Sequence, residues 1–434
     1  MLVVAGLRQI SSWRRWQLAA FEYDRIRQLG LPTNSIELNT YAAVSAGTSD
    51  ATPIWNVPIG QSLALKKAHT WDFPLSRDEW VFPPLPNTEW PDLDKEAQFI
   101  ASQNIYYQSV DTALATEGDC CYVSDYTPAM ILLPHIDGLR SIQHFLVLRA
   151  YVWAHQGDTR GVAADLLGLL QMGETLHREP MLVSQIVRVS MHDYSLACLE
   201  QLLPSIASEA ETLELIQAEL LSIDLRKGMH RGLIGQRALV VGELNQSLSG
   251  RLRGAWHGDD SLAVLQGLGD VEEEIAQDWP VPLQLLDRYD QNIDFRTFGS
   301  RSPWGQQDVP PSAQPGMIAS RIELTAEVTA RLRAAAAAVA AVRYHTATGN
   351  WPETLEALVP EHLAEVPLDP CTGEPLRLAR TNTELRFYSV GVDRVDDGGQ
   401  ELPTESPDGP QVRQGEPDVV FRVPLDLSEH SSGQ

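Results

Sequence analysis

Cysteine is scarce in this chain, with four in 434 residues. No two are spaced C-x-x-C, so the sequence encodes neither a zinc knuckle nor a disulfide scaffold. Cys120 and Cys121 are neighbours, and a bond between neighbours is strained; Cys198 falls in an apolar helical stretch and Cys371 in a turn. The four cysteines assign no redox compartment. No run reaches the ~18 apolar residues of a membrane span. The eleven histidines form no HExxH or HxH spacing, which leaves metal hydrolases without a motif. No G-x-S-x-G elbow precedes a helix, and no Walker loop or dinucleotide fingerprint occurs. Gly267-Leu268-Gly269-Asp270 has no strand-loop-helix frame around it. Basic residues are outnumbered 33 to 58, giving a formal charge of −25. That surface repels phosphate backbones, so no nucleic-acid partner is expected. The acid is spread along the chain and reads as a solvated face, the alternative being attraction of cations or basic partners.

What is present is length and apolar content. At 43% hydrophobic the chain can bury a sizeable core, and its length allows two or three domains. Met1 to Leu7 is apolar and is followed by Arg8, Arg14 and Arg15. This matches either the end of a membrane helix with a basic flank, its anchor lying upstream, or an ordinary amphipathic first helix. A helix is expected over 13–29, ended by Gly30 and Pro32. From 39 to 90 periodicity is weak and Thr, Ser, Asn and Pro are frequent, so irregular structure is expected there. Trp13, Trp16, Trp55, Trp71, Trp80 and Trp90 crowd this end. They serve either as anchors on the helical body or as a partner surface.

A second helix is expected over 92–114, and 132–249 is the most regular region. Leu139, Ile142, Leu146, Ala150 and Trp153 mark one face, with Phe145, Leu148 and Val152 as a second flank, so that helix is buried widely. Gly157 stops it and Asp158 or Thr159 caps the next. The pair resembles a tetratricopeptide hairpin, but no second copy follows at the ~34-residue period, and a non-repeating bundle is expected. A helix is expected to begin near Pro180, Ser208 to Glu211 reads as a capping box, and a last helix runs over 224–248. A short acidic helix is expected at 271–277. Pro310, Pro311 and Pro315 then break the chain before an alanine-rich helix over 321–348. The organisation expected is a mainly α-helical domain at 1–250, a linker-like region at 251–320 and a small domain at 321–434.

The last part carries the most specific pattern. Gly349-Asn350-Trp351-Pro352 leads to a short helix over 353–358. Asp369-Pro370-Cys371-Thr372-Gly373 has turn chemistry, because Asp bonds backbone N–H groups ahead and Gly supplies a positive φ. Strands are expected over 376–378, 385–390 and 419–423, joined first through Asn382. Three strands on a long helix bury an apolar face that a lone hairpin cannot. The expected fold class is thus α+β.

This order of long helix, G-x-W-P, P-x-D-P-x-x-G-x-P-L and Y-S-x-G-x-D resembles the C-terminal domain of type II secretion system major pseudopilins (protein G). It covers about a quarter of the chain. The resemblance implies a calcium ion held in the loop after the second strand, for which the matching residues are Asp393, Asp396 and Asp397 with backbone oxygens. A plain solvated Asp-Asp-Gly-Gly turn is the alternative. The match departs where the long helix begins Arg321-Ile322-Glu323-Leu324, too polar for the apolar stem of a pilus. The whole chain resembles multi-domain planctomycete proteins with a helical domain before this module.

The expected function is non-enzymatic: an envelope-associated structural or interaction protein, secretion-related, with protein partners in the envelope. The alternatives are an enzyme with its site in the helical domain, or a helical peptide-binding module. Among candidate chemical groups, Glu174 and His177 share a helix face three residues apart, which pairs an acid with an imidazole or leaves a surface hydrogen bond. His135, His144 and His155 read as core or surface histidines.

Overall fold

Helix ends follow local chemistry where the sequence supplies it, and tertiary packing where it does not. The computed structural model describes residues 17–45, 47–68, 82–127, 131–246, 258–280, 315–400 and 418–427. Helix α1, at 17–28, ends before Gly30, whose φ of 73° is left-handed. Helix α2 (Ser35–Ala42) is capped by Asn34, whose side chain accepts the N–H groups of Ile36 and Glu37, each at 3.0 Å.

Helix α3 (Thr52–Ala68) contradicts the irregular structure expected over 39–90. Pro58 lies inside it and contributes no N–H to the ladder, which is why propensity argues against a helix. Burial overrides that cost: Trp55, Pro58, Ile59 and Ser62 all face inward. They meet helix α6 (Pro134–Gln156) at Gly138, where an added Cβ would lie 2.6 Å from Ile59 Cγ2. Ser62 Oγ sits 3.1 Å from the Gly138 carbonyl at the same crossing. The single helix expected over 92–114 is two, α4 (Leu93–Ser102) and α5 (Asn104–Leu114), interrupted at Gln103.

Helix α6 ends at Gly157 (φ 73°), and Asp158 then caps α7 (Thr159–Glu174) by accepting the Gly161 N–H at 3.0 Å, as expected. Helix α8 (Leu182–Leu202) begins two residues after Pro180. Helix α9 (Ala210–Ser222) lacks the expected capping box: Glu209 holds the cap position without a side-chain bond to the helix. Its carboxylate instead accepts the Thr159 hydroxyl at 2.5 Å, tying α9 to α7. Helix α10 (Leu225–Gln246) is followed by α11 (Gly258–Ile275), far longer than the short helix expected over 271–277. The expected breakers Pro310 and Pro311 lie outside the described residues, as do Trp13, Trp16, Trp71, Trp80 and the apolar stretch over 1–7. Trp55 is buried, and Trp90 packs against the main core. Among the described residues no helix is long and apolar enough to cross a membrane.

Helix α12 (Pro315–Thr348) is the longest element and ends at Gly349 (φ 74°). A short 3-10 turn, Leu355–Leu358, follows. Strands β1 (Arg377–Arg380), β2 (Glu384–Ser389) and β3 (Val419–Pro424) form an antiparallel sheet in that order. Phe387 pairs with Phe421, and Leu385 with Val423, so the buried faces coincide. Asp369 explains the P-x-D-P turn. Its buried carboxylate accepts Cys371 N–H at 2.7 Å and Val390 N–H at 3.2 Å, stapling the turn to the end of β2. The fold is α+β and mainly helical.

Residues 334–342 of α12, all Ala or Val, are fully buried. A helix apolar all round must be enclosed on every side. It packs against α8, α9 and α10, and also against β2 and β3, so bundle, helix and sheet share one apolar core. Methyl side chains allow this close approach, and charged residues fix its register. Arg331 donates to Asp193 at 2.7 Å and to Glu200 at 3.1 Å, both on α8. Arg422 of β3 reaches the other oxygen of Glu200 at 2.9 Å. At the far end Trp351 stacks on His345 with centroids 4.1 Å apart and donates its N–H to the Leu425 carbonyl at 3.1 Å.

Replacing Ala337 by Leu should cost about 1–3 kcal/mol by overpacking. The same change at exposed Ala347 should fall within about 0.5 kcal/mol of wild type. Chemical denaturation of the two variants checks this, and equal effects would deny the tight enclosure of the helix.

Candidate functional site

A gathering of titratable groups lies where α7 and α8 meet the residue before α10. Glu174 is the last residue of α7 and points its carboxylate into α8. Arg188 donates to it from Nε at 3.1 Å and from Nη2 at 2.8 and 2.7 Å. His192, one turn further along α8, lies with Nε2 2.8 Å from Glu174 Oε1. Arg188 Nη1 also approaches the Asp224 carbonyl, 3.3 Å away, just before α10. The side chains of Arg188 and His192 are 2% and 0% exposed, whereas Glu174 keeps 26%, so solvent reaches the group from the carboxylate side only.

Two glycines make room for it. A Cβ on Gly173 would sit 2.7 Å from the His192 ring, and one on Gly228 would sit 2.3 Å from Arg188 Nη1. Only a residue without a Cβ allows this close approach at either position.

The protonation states follow from the contacts. Burial raises the Glu174 carboxyl, but Arg188 and then His192 outweigh it and hold it down to about 2. Burial pushes the His192 imidazolium down, with Glu174 opposing. An ionised carboxylate only accepts, so a neutral His192 donates from Nε2. Its Nδ1 lone pair is then buried without a partner. A carboxylate this acidic is a weak base, and the imidazole, with no exposed surface of its own, meets solvent only through Glu174. The arrangement locks α7 to α8 and to the residue before α10.

The expected pairing of Glu174 with His177 takes a different form. His177 Nδ1 donates to the Glu174 backbone carbonyl at 2.6 Å, and its ring lies 3.6 Å from Asp119. His135 is buried against Glu179 at 2.9 Å and stacks on Tyr122, 4.7 Å between centroids. His144 is pushed down to about 4, by burial first and then by Lys66 and Arg140, so it stays neutral. His155 lies 2.9 Å from the Pro84 carbonyl. Arg149 lies between the rings of Tyr107 and Trp153, at 4.6 and 4.8 Å, and donates to Asp165 and Asp111. Burial raises the thiols of Cys120 and Cys371, to about 11 and about 12, and raises Cys121 and Cys198 also. They remain protonated at neutral pH, the unreactive form.

The acidic loop after β2 was the other expected site. Asp393 turns onto its own backbone, accepting the Val395 N–H at 2.9 Å. Asp396 accepts the Gly398 N–H at 3.0 Å and the Tyr388 hydroxyl at 3.3 Å, and its other oxygen pairs with Arg377. Asp397 is exposed. A residue missed in the sequence joins them: Asp418, buried at the start of β3, accepts the Gly399 N–H at 2.7 Å. Burial, with Asp396 and Asp397 nearby, raises its carboxyl against the backbone N–H groups of Gly399 and Asp397. Its Oδ1 is buried with no partner among the described residues. Among the described residues no group of three or more His, Cys, Asp or Glu is placed to hold a metal ion. Asp396 is bound by Arg377, and Asp393, Asp396 and Asp418 each accept a backbone N–H, so the described residues do not gather the 6–8 oxygens that calcium takes. No family model, curated protein or solved structure matches the chain.

Glu174 ionises more readily in the folded chain than at its ordinary 4.5, so its contribution is complete above that pH and lost as pH falls toward about 2. Glu174→Gln strands the buried Arg188 charge and should cost about 3–5 kcal/mol. Its stability should also fall less steeply than wild type below pH 4.5. Urea midpoints measured across that range check both; parallel curves would show that Glu174 is not held ionised by Arg188.

Proposed function

We propose that this chain is a non-enzymatic structural or interaction protein of the cell envelope, secretion-related, with protein partners there and with the α12-and-sheet module as its binding or assembly unit. The observation that carries this reading is the use made of charge. Glu174 binds Arg188 and His192 across α7 and α8, and Arg149, Asp165 and Asp111 join α6, α7 and α5. Glu200 joins α12 and β3 to α8. Side chains suited to catalysis are spent on rigidity, as a scaffold that presents a fixed surface requires.

The motif order of the C-terminal module supports the envelope and secretion part of the reading. In this chain the module's helix is enclosed by the bundle and sheet, so it offers its outer surface to partners and keeps its helix within the protein. The calcium ion implied by the resemblance has no part in the proposal.

Cell fractionation should place the native protein with the envelope, and affinity capture of the intact chain should recover envelope proteins. A native protein that stays in the cytosolic fraction and captures no envelope partner would remove this reading.

A further inference from the structure

We infer that Arg377 is the internal counter-ion of the acidic loop at 393–399, filling the place that a divalent cation would need. The observation is that both oxygens of Asp396 and the Gly399 carbonyl are already bonded without one. Arg377, the first residue of β1, pairs with Asp396 Oδ2. Asp396 Oδ1 is occupied by the Gly398 N–H and the Tyr388 hydroxyl. Arg386 of β2 donates from Nη1 to the Gly399 carbonyl at 3.1 Å, taking up a backbone oxygen of the same turn. Asp418 holds the Gly399 N–H from the β3 side. The loop is thereby tied to all three strands, with one guanidinium on its carboxylate and another on its main chain.

Sheet register produces this arrangement. Arg377 lies opposite Tyr388 across the β1–β2 ladder, and both side chains converge on Asp396. Gly399, with φ 72°, lets the chain turn back beneath them, where its Cβ position would lie 3.2 Å from the Tyr388 ring. A divalent cation binding Asp396 would need to approach to about 2.3–2.6 Å of its oxygens. It would meet the Arg377 charge at that oxygen and would have to displace it. A compact, strongly hydrated calcium ion and a weakly hydrated guanidinium are thus competing occupants, and the chain carries the second covalently. The inference does not depend on the proposed envelope role.

The test is hydrogen exchange of the full-length chain, read at the 396–399 amides, with calcium added or with a chelator. Wild type should show the same protection in both. Arg377→Gln should exchange several-fold faster at these amides, while Arg377→Lys keeps part of the protection. Residues 369–371, held by Asp369, serve as the control that the module stays folded. Calcium-dependent protection in wild type would overturn the inference. So would an Arg377→Gln protein whose loop exchanges as slowly as wild type.

Discussion

The enclosure of one helix by two different kinds of structure governs the molecule. Over 334–342 helix α12 has no polar side, so it is stable only while helices cover part of its circumference and the sheet covers the rest. Alanine makes the contact possible. Its methyl group lets a neighbouring backbone approach closely, and it gives up no side-chain entropy on burial. The sheet has only three short strands, and it acquires a core by packing on a helix that the bundle already holds.

Apolar packing of this kind is indifferent to direction, and buried charge supplies the direction. Glu200 takes Arg331 with one oxygen and Arg422 with the other, which sets the long helix and the last strand against α8 together. Glu174 does the same for the bundle interior, through Arg188 and His192. Pairs like these contribute little net stability relative to a well-packed apolar replacement, but losing one partner is costly. Their consequence is a defined helix register.

Much of the architecture was legible in the residues. Gly157 and Asp158 gave the α6–α7 corner, Gly349 the end of the long helix, and the strands expected over 385–390 and 419–423 are β2 and β3. Where expectation failed, a local signal had been outweighed. Pro58 argued against α3, and burial of Trp55 and Ile59 prevailed. Ser208 and Glu211 promised a capping box, but Glu209 found Thr159 on another helix. Arg188 was not singled out at all, because an arginine fourteen residues from its carboxylate has no recognisable spacing. Asp418 was missed for the same reason, since it lies 19 residues along the chain from the Gly399 whose N–H it accepts.

The sequence by itself determined most of the helical and extended stretches, α3 and the length of α11 excepted, where most of them stop, and that the last hundred or so residues include a long helix followed by three strands. These are consequences of periodicity, turn residues and propensity, all of which act within a few residues. Tertiary structure alone decided the partners of the charges. It set Glu174 on His192 rather than His177 and placed Arg377 on Asp396. It also decided that the alanine helix is enclosed rather than laid on one surface. Coulomb attraction and close packing act through space, and the separation of residues along the chain does not encode which of them will meet.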